Sequence, residues 1–275
     1  MSRVFLVGAG ASRGTLGENA PVSEEFGQYL NKIEPCWNQK YPYLACAISF
    51  LEQRIKDTSK GKWALDKVWG AIDTRVKLQF IWGLNLPGTP FLPPNEKKIY
   101  KTNLDPWGFA GFELRCVLAR VYGNDLNIQI QKAVEGSCTL KMELVKLEPG
   151  DCVISFNYDL LVEKILEKLE KKINIAHPYL GPGNASYSIL LSKPHGSLNW
   201  VYWSPENEIS IQILNEPMRE DDIDFSFEQK ATRQPGIAAP VPFKSEIISP
   251  ELQVRKVPSF FYLLIAQWRW AIECL

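Results

Sequence analysis

Short apolar runs that end in glycine or polar residues alternate with longer stretches of helical periodicity along this chain. The apolar run at residues 3–7 predicts a fully buried strand of a parallel sheet, since both faces of such a strand are covered. After a glycine-containing turn, residues 23–30 predict a helix with Ser23 as its N-cap. The order strand, glycine loop, helix is typical of an α/β fold.

A second unit of strand, polar loop and helix is predicted after residue 150. Residues 152–156 have the pattern of a short buried strand, and residues 160–172 predict the clearest helix, with Glu167 four positions before Lys171. The remaining predicted elements are strands at 188–193, 201–203 and 237–240, a surface loop at 216–224 and a helix at 259–275.

Between these units the pattern is mostly helical. The predicted helices lie at 43–56, 63–82, 109–122, 126–134 and 140–147. Repeated prolines within residues 85–94 predict an irregular loop. We therefore predict an α/β fold, in which a Rossmann-like parallel sheet carries a mostly helical insertion, residues 35–147, between its first and second strands. The prediction is a single domain over residues 1–275.

Composition narrows the classes of partner. Lysine plus arginine and aspartate plus glutamate each number 31, so no overall field attracts the chain to nucleic acid or to an anionic membrane. The apolar runs are shorter than the roughly 18 residues of a spanning helix. The six cysteines include no C-x-x-C pair, which favours reduced core residues over a zinc knuckle or redox dithiol. We expect a cytoplasmic protein without membrane or nucleic-acid partners.

Gly8 and Gly10 mark a candidate phosphate-binding turn after the first strand. Glycine lets main-chain N–H groups approach a phosphate at a helix N-terminus, where a Cβ would stand between them. With Gly14 the spacing is one residue longer than the common dinucleotide fingerprint, and no acidic second strand follows, which disfavours a dehydrogenase. The absence of G-K-[ST] excludes a P-loop. A strand-to-helix turn without a ligand is the alternative.

Two further polar clusters follow predicted strands. Asn157 and Asp159 lie at the carboxyl end of the second strand, where open α/β sheets bind ligands. The local alternative is that Asp159 caps the next helix and Asn157 bonds loop backbone. His195, in the segment KPHGS, can accept a proton from a sugar hydroxyl or stabilise a developing charge. A structural role is the alternative for His195 and the favoured one for His177.

Three motifs in this order, GAGAS, SFNYD and KPHGSLNW, resemble the sirtuin-like family. The resemblance is strongest to its prokaryotic branch, whose members are NAD-consuming effector domains of antiphage defence. It covers roughly residues 3–30 and 150–275. It implies an NAD-binding site made of Gly8, Ala9, Gly10, Ala11, Ser12, Asp159 and Ser197.

The resemblance also implies the catalytic residues and the reaction. Asn157 would hold the nicotinamide ribose or an attacking water, Asp159 would support that site, and His195 would contact the ribose hydroxyls as the catalytic histidine. The implied reaction is hydrolysis of the bond between C1′ of the ribose and nicotinamide, which leaves as an uncharged molecule. NAD is then a substrate.

Two departures from the family pattern shape the expected activity. Deacylase sirtuins hold a structural zinc with four cysteines, and no such spacing exists here, so no zinc is expected and NAD hydrolysis is favoured over deacylation. Related chains follow their last helix with a strand ending in Gly-x-Ser, whereas this sequence ends within that helix. Either the site is completed differently or the chain is truncated.

The expected partners are NAD and either further copies of the chain or an activating protein. A catalytically silent module that binds NAD or ADP-ribose is the first alternative. An NAD-dependent protein deacylase or ADP-ribosyl transferase is the second.

Overall fold

The computed structural model describes residues 3–54, 63–82, 106–175, 187–204, 210–226 and 231–237, together with Arg269 and Ile272. The chain divides into two compact units. Unit 1 comprises Met1–Ala20, Ala119–Ala238 and Phe243–Leu275, and unit 2 comprises Pro21–Leu118 and Ala239–Pro242. The helical stretch at 35–147 is thus shared between the two units. The loop predicted at 85–94, His177 and almost all of the helix predicted at 259–275 lie outside the described residues.

A parallel sheet forms the centre of unit 1. Its strands are β1 (Val4–Val7), β2 (Cys152–Ser155), β3 (Ile173–Ile175) and β4 (Ile189–Ser192). Within the described residues their order is β1-β2-β4-β3, and all the pairings are parallel. Every residue of β2 and β4 is buried, as expected for interior strands covered on both faces. The predicted α/β architecture with a parallel sheet is confirmed.

The described residues form nine α-helices and one π-helix. They are α1 (Ala9–Leu16), α2 (Phe26–Ile33), α3 (Trp37–Lys40), α4 (Pro42–Arg54), α5 (Leu65–Trp82), α6 (Pro106–Leu118), the π-helix (Ala119–Leu126), α7 (Asn127–Glu135), α8 (Thr139–Leu144) and α9 (Leu161–Lys168). The five helices predicted between residues 43 and 147 correspond to α4 to α8. Helix α1 was not predicted.

Helix α2 begins later than predicted, after a 3-10 turn at Ser23–Glu25. The prediction that Ser23 caps this helix is wrong. Its Oγ accepts a hydrogen bond from the backbone N–H of Asp66, at 3.0 Å, and donates to Oδ1 of the same residue. Ser23 therefore supports the first turn of α5, because an unpaired N–H there can be satisfied by a hydroxyl from elsewhere in the chain.

The helix predicted at 160–172 ends early, at Lys168, and Glu170 adopts a positive φ of 55°. The predicted pair of Glu167 with Lys171 is therefore wrong, because Lys171 is no longer on the helix. Its Nζ donates to the carbonyl of Leu147 at 2.8 Å. Glu167 instead lies 3.5 Å from Lys164 on the preceding turn.

A second sheet, which the sequence did not predict, completes the described part of unit 1. Its strands are β5 (Gly196–Ser204), β6 (Ser210–Ile213), β7 (Asp224–Ser226) and β8 (Ala231–Ile237), in the antiparallel order β6-β5-β8-β7. The strand predicted at 201–203 is part of β5. Of the strand predicted at 237–240, Ile237 is the last residue of β8, and residues 238–240 lie outside the described residues. The segment predicted as a surface loop contains a fully buried Met218, whose N–H donates to the carbonyl of Leu198.

The core of unit 2 is rich in aromatic side chains. Tyr43 of α4 stacks on Phe109 of α6 with ring centroids 4.9 Å apart. The guanidinium of Arg75, on α5, lies 5.4 Å from the ring of Phe50 and 5.3 Å from that of Trp107. Such ring–ring and cation–π contacts stabilise the packing of α4, α5 and α6 in addition to the burial of apolar surface.

Two expectations from composition can be compared with the described residues. The five described cysteines are thiols, but Cys152 alone among them is buried and Cys36 is exposed, so the expectation that they are core residues is wrong for most of them. The described helices include none that combines the length and apolar character needed to cross a membrane.

Arg3 and Asp151 join the amino ends of β1 and β2. Oδ1 of Asp151 accepts the backbone N–H of Arg3 at 2.8 Å, and Oδ2 accepts the Arg3 guanidinium at 2.7 Å and the N–H of Glu148 at 2.8 Å. Burial alone would raise the pKa of Asp151, but these hydrogen bonds and the Arg3 charge outweigh burial and hold that pKa below its usual value.

Replacing Asp151→Asn is expected to lower the free energy of unfolding by about 2 kcal/mol near neutral pH, because the NH2 group that replaces one carboxylate oxygen cannot accept the hydrogen bonds made there, and the charge that pairs with Arg3 is lost. The pKa of Asp151 is lower in the folded chain than in the unfolded chain. Its contribution is therefore present above the unfolded value, about 3.9, and is lost as the pH falls through the folded value. Urea unfolding of both proteins as a function of pH measures this.

The difference between the native protein and Asp151→Asn should shrink at acid pH. Glu143→Gln is the control, because Glu143 pairs with Lys146 at an exposed position and should contribute less than about 0.5 kcal/mol. A difference that stays constant down to low pH would contradict the role given to Asp151.

Candidate functional site

The carboxyl ends of three adjacent strands carry the three sequence motifs. β1, β2 and β4 are parallel neighbours, and Val7 pairs with Ser155 at the last position of their ladder. Gly8 follows β1 directly, Asn157 follows β2, and His195 follows β4. The fold therefore brings the three motifs to one edge of the sheet, which is the edge where open α/β sheets bind ligands.

The predicted glycine loop is the first turn of helix α1. Gly8 is its N-cap residue with extended backbone, and the helix begins at Ala9. Gly8, Ala9 and Gly10 are exposed, Ala11 is half-buried, and a Cβ built on either glycine would meet no atom within 4 Å. Because the first N–H groups of a helix lack intrahelical acceptors, this exposed turn offers donors and a positive dipole end to an anion.

Asn157 is fixed by two hydrogen bonds to the α1 turn. Its Nδ2 donates to the carbonyl of Gly8 at 3.1 Å and to Oγ of Ser12 at 2.8 Å. A carbonyl can only accept, so the amide nitrogen has to face Gly8 and the amide oxygen has to face away. Within the described residues Oδ1 of Asn157 accepts no hydrogen bond, and it is the atom of this side chain left to act on a ligand.

Ser12 links Asn157 to Asp159 through hydrogen bonds to both side chains. Both side chains are buried, and Oγ of Ser12 donates to Oδ2 of Asp159 at 2.8 Å. Oδ1 of Asp159 accepts the backbone N–H of Leu161 at 3.0 Å, in the first turn of α9. The local role predicted for Asp159, at the start of the next helix, is confirmed by this bond, and its predicted part in an NAD site stays a prediction.

His195 packs among aromatic rings. Its ring centroid lies 5.5 Å from that of Phe156 and 6.2 Å from that of Tyr158, the two neighbours of Asn157 in the sequence. Tyr122 of the π-helix packs in turn on Tyr158, with centroids 6.4 Å apart. His195 as a whole residue is half-buried.

Lys193 is a buried charged residue that the sequence did not single out. Its side chain has an exposed fraction of 0%, and its Nζ lies 2.6 Å from Oε1 of Glu163. The same Nζ donates to the backbone carbonyl of Asp159 at 2.7 Å and to Oγ of Ser197 at 2.9 Å. Ser197, expected to contact NAD, is itself fully buried and binds this ammonium.

Together these residues form one continuous polar network beneath an exposed helix end. The network runs from Gly8 through Asn157, Ser12 and Asp159 to Lys193. An anionic group at the α1 turn would meet main-chain donors, and a neighbouring sugar would meet an amide oxygen and an imidazole. In the part of the chain that the structure describes, no group of three or more His, Cys, Asp or Glu side chains could hold a metal ion.

One signal in the sequence could have indicated Lys193. It directly follows the apolar run of β4, at the same carboxyl edge as Asn157, and an ammonium in that position has to find acceptors if it is buried. The SFNYD motif also contains the two aromatic neighbours of Asn157, Phe156 and Tyr158. Their ring contacts with His195 depend on two segments far apart in the chain.

No family model matches the chain, and no curated protein matches it. The function below is argued from the three motifs and from the geometry that surrounds them.

Proposed function

We propose that this protein is an NAD hydrolase, which releases nicotinamide by cleaving its bond to the ribose. The observation that carries the proposal is the bonding of Asn157 to the α1 turn, which joins the GAGAS and SFNYD motifs at one edge of the sheet. His195 of the third motif packs on the two aromatic neighbours of Asn157. The three motifs that resemble an NAD-consuming family are therefore neighbours in space.

The α1 turn suits the pyrophosphate of NAD. Gly8 and Gly10 leave open space where a Cβ would point, so a phosphate can approach the main chain there. Ala9 and Gly10 present N–H groups at the positive end of the helix dipole. The pyrophosphate carries negative charge, and these donors would fix one half of NAD while the other half reaches Asn157 and His195.

The reaction needs positioning and electrostatics more than a strong nucleophile. The C1′–N bond breaks with its electron pair going to the positively charged nicotinamide ring, which leaves neutral. Water adds to the resulting oxocarbenium-like carbon and loses one proton, giving ADP-ribose, nicotinamide and a proton. The free Oδ1 of Asn157 would orient the ribose or the water, and the His195 imidazole would accept the proton.

Incubation of the purified protein with NAD, with nicotinamide release followed by chromatography, tests this proposal. The native protein should release nicotinamide and ADP-ribose in equal amounts, and His195→Ala should be slower by about 10²-fold or more, the usual contribution of a positioned acid or base. No release by the native protein, or equal release by the variant, would refute the assignment.

Alanine at Gly10 separates binding from folding. Gly10→Ala should raise the free energy of unfolding by about 0.5–1 kcal/mol, because alanine is the better helix former and its Cβ meets open space in the free protein. The same Cβ would stand in the path of a phosphate, so NAD affinity should fall about tenfold or more, as for the loss of about 1.4 kcal/mol. Thermal unfolding and calorimetry with NAD measure the two effects.

Gly14→Ala is the matched control for this prediction. Gly14 is also exposed, also meets no atom within 4 Å of an added Cβ, and lies about one turn further along α1. It should stabilise the protein to a similar extent and leave NAD affinity unchanged. Equal losses of affinity in both variants would place the phosphate elsewhere.

A binding module without catalysis is the competing proposal, and one observation favours it. Ser12 and Asp159 are occupied by bonds to each other and to the chain, which is sufficient to build a rigid binding surface. Such a module would bind NAD and ADP-ribose in calorimetry and release no nicotinamide. Turnover that depends on Asn157 and His195 would exclude it.

A further inference from the structure

Lys193 connects the two segments that carry the proposed catalytic residues. Its Nζ bonds the carbonyl of Asp159, in the segment after β2, and Oγ of Ser197, at the start of β5. His195 lies between Lys193 and Ser197 in the sequence. The ammonium therefore closes a loop around the histidine and fastens that loop to the segment of Asn157.

Burial makes this connection strong and specific. Lys193 is fully buried, and its charge is balanced by Glu163 on the first turn of α9 at 2.6 Å. The second carboxylate oxygen of Glu163 is buried and has no hydrogen-bond partner among the described residues. The ammonium of Lys193 is therefore the group that balances this buried carboxylate. Buried pairs of this kind contribute little to stability compared with apolar residues, and their best-supported role is to specify one arrangement.

We propose that Lys193 is a positioning residue, which holds His195 in register with Asn157 by bonding the backbone of Asp159 and the hydroxyl of Ser197. It touches no substrate. Its effect on turnover rests on the proposed NAD hydrolysis, whereas its effect on the position of His195 does not. The N–H of Leu198 also donates to the carbonyl of Tyr158, at 3.1 Å, and this bond holds β5 after the loop of His195.

Replacing the ion pair as a whole separates positioning from folding. Lys193→Met alone leaves Glu163 buried without its partner and should lower the melting temperature. The double variant Lys193→Met with Glu163→Leu removes both charges and should recover much of that loss. The double variant still lacks the bonds from Lys193 to Asp159 and Ser197. If Lys193 positions His195, the double variant should fold but hold His195 away from its native position.

The histidine ring signals in a proton–carbon NMR spectrum report this displacement. The chain has two histidines, so His177→Gln assigns the signal of His195. Ring currents from Phe156 and Tyr158 should shift that signal in the native protein, because both rings lie against it. In the double variant it should move toward the position of an unstructured histidine, and turnover of NAD should fall about 10–100-fold, as expected for a misplaced group.

Lys171→Met is the control, because Lys171 also bonds a backbone carbonyl, that of Leu147, at a place remote from the site residues in sequence. It should leave the His195 signal and turnover unchanged. Ser197→Ala provides a milder test if the double variant does not fold, since it removes one acceptor of Lys193 and should shift the His195 signal in the same direction.

An unshifted His195 signal in a folded double variant, or in Ser197→Ala if the double variant is unfolded, would overturn the positioning role. A native protein that releases no nicotinamide would instead overturn the proposed hydrolysis. In that case the NMR result alone would decide whether Lys193 positions His195.

Discussion

In the proposed NAD hydrolysis, Asn157→Ala is expected to slow nicotinamide release by about 10²–10³-fold, the range found when a positioned polar group at a reacting centre is removed. The physical reason is the geometry of its amide, whose nitrogen is held by Gly8 and Ser12 while its oxygen accepts no bond from the described residues. Alanine removes that oxygen. Steady-state nicotinamide release, measured at saturating NAD, gives the size of the effect.

Asn199→Ala is the matched control for the loss of a buried asparagine. Asn199 has an exposed fraction of 6%, against 7% for Asn157, and its Nδ2 likewise donates to a backbone carbonyl, that of Leu214, at 2.8 Å. Both variants should lose about 1–2 kcal/mol of unfolding free energy. Turnover should fall in Asn157→Ala alone, and equal turnover in the two variants would contradict the role given to Asn157.

The sheet edge that carries the candidate site could be predicted from the sequence because the strands are short and apolar except for the serine that ends β2 and β4. β2 and β4 are buried on both faces, so a run of apolar residues marks them without any need to know their partners. Once these strands are placed, the residues that follow them meet at one edge by geometry alone. That Gly8, Asn157 and His195 lie at one edge of the sheet could therefore be predicted from the sequence.

Helix α1 and the antiparallel sheet could not be predicted from the sequence, for different reasons. Gly10 and Gly14 lower the intrinsic helix propensity of α1, and its formation depends on burial of Ser12 and Leu16 in unit 1. The strands β6 and β7 are three or four residues long. Their pairing with β5 and β8 depends on contacts that a local pattern does not contain.

The role of Lys193 could not be deduced from the sequence because its partners come from distant positions. Glu163 lies 30 residues away along the chain and Asp159 lies 34 residues away. A lysine is exposed in most settings, and burial becomes acceptable only when several acceptors converge on it. The local pattern identified the histidine, and the fold was needed to find what holds it.

Gly196→Ala is expected to lower the free energy of unfolding by about 2–6 kcal/mol and to displace the adjacent His195. Gly196 has a φ of 84°, which costs an L-residue about 1–3 kcal/mol. A Cβ there would also fall on the backbone carbonyl of Gly236 in β8, and backbone cannot move aside without opening the β5–β8 pairing, at a further cost of about 1–3 kcal/mol. Urea unfolding and nicotinamide release measure the two consequences.

Gly150→Ala separates strain from contact, because Gly150 has a φ of 96° but no atom within 4 Å of an added Cβ. Strain alone should make this control less stable by about 1–3 kcal/mol. Its turnover should be unchanged, since Gly150 lies before β2, at the amino end of the sheet and away from the carboxyl edge. Equal destabilisation of the two variants would mean that β8 does not approach Gly196 closely. The position of His195 would then be set by the Lys193–Gly196 turn alone, which is closed by a hydrogen bond of 2.9 Å from the N–H of Gly196 to the carbonyl of Lys193.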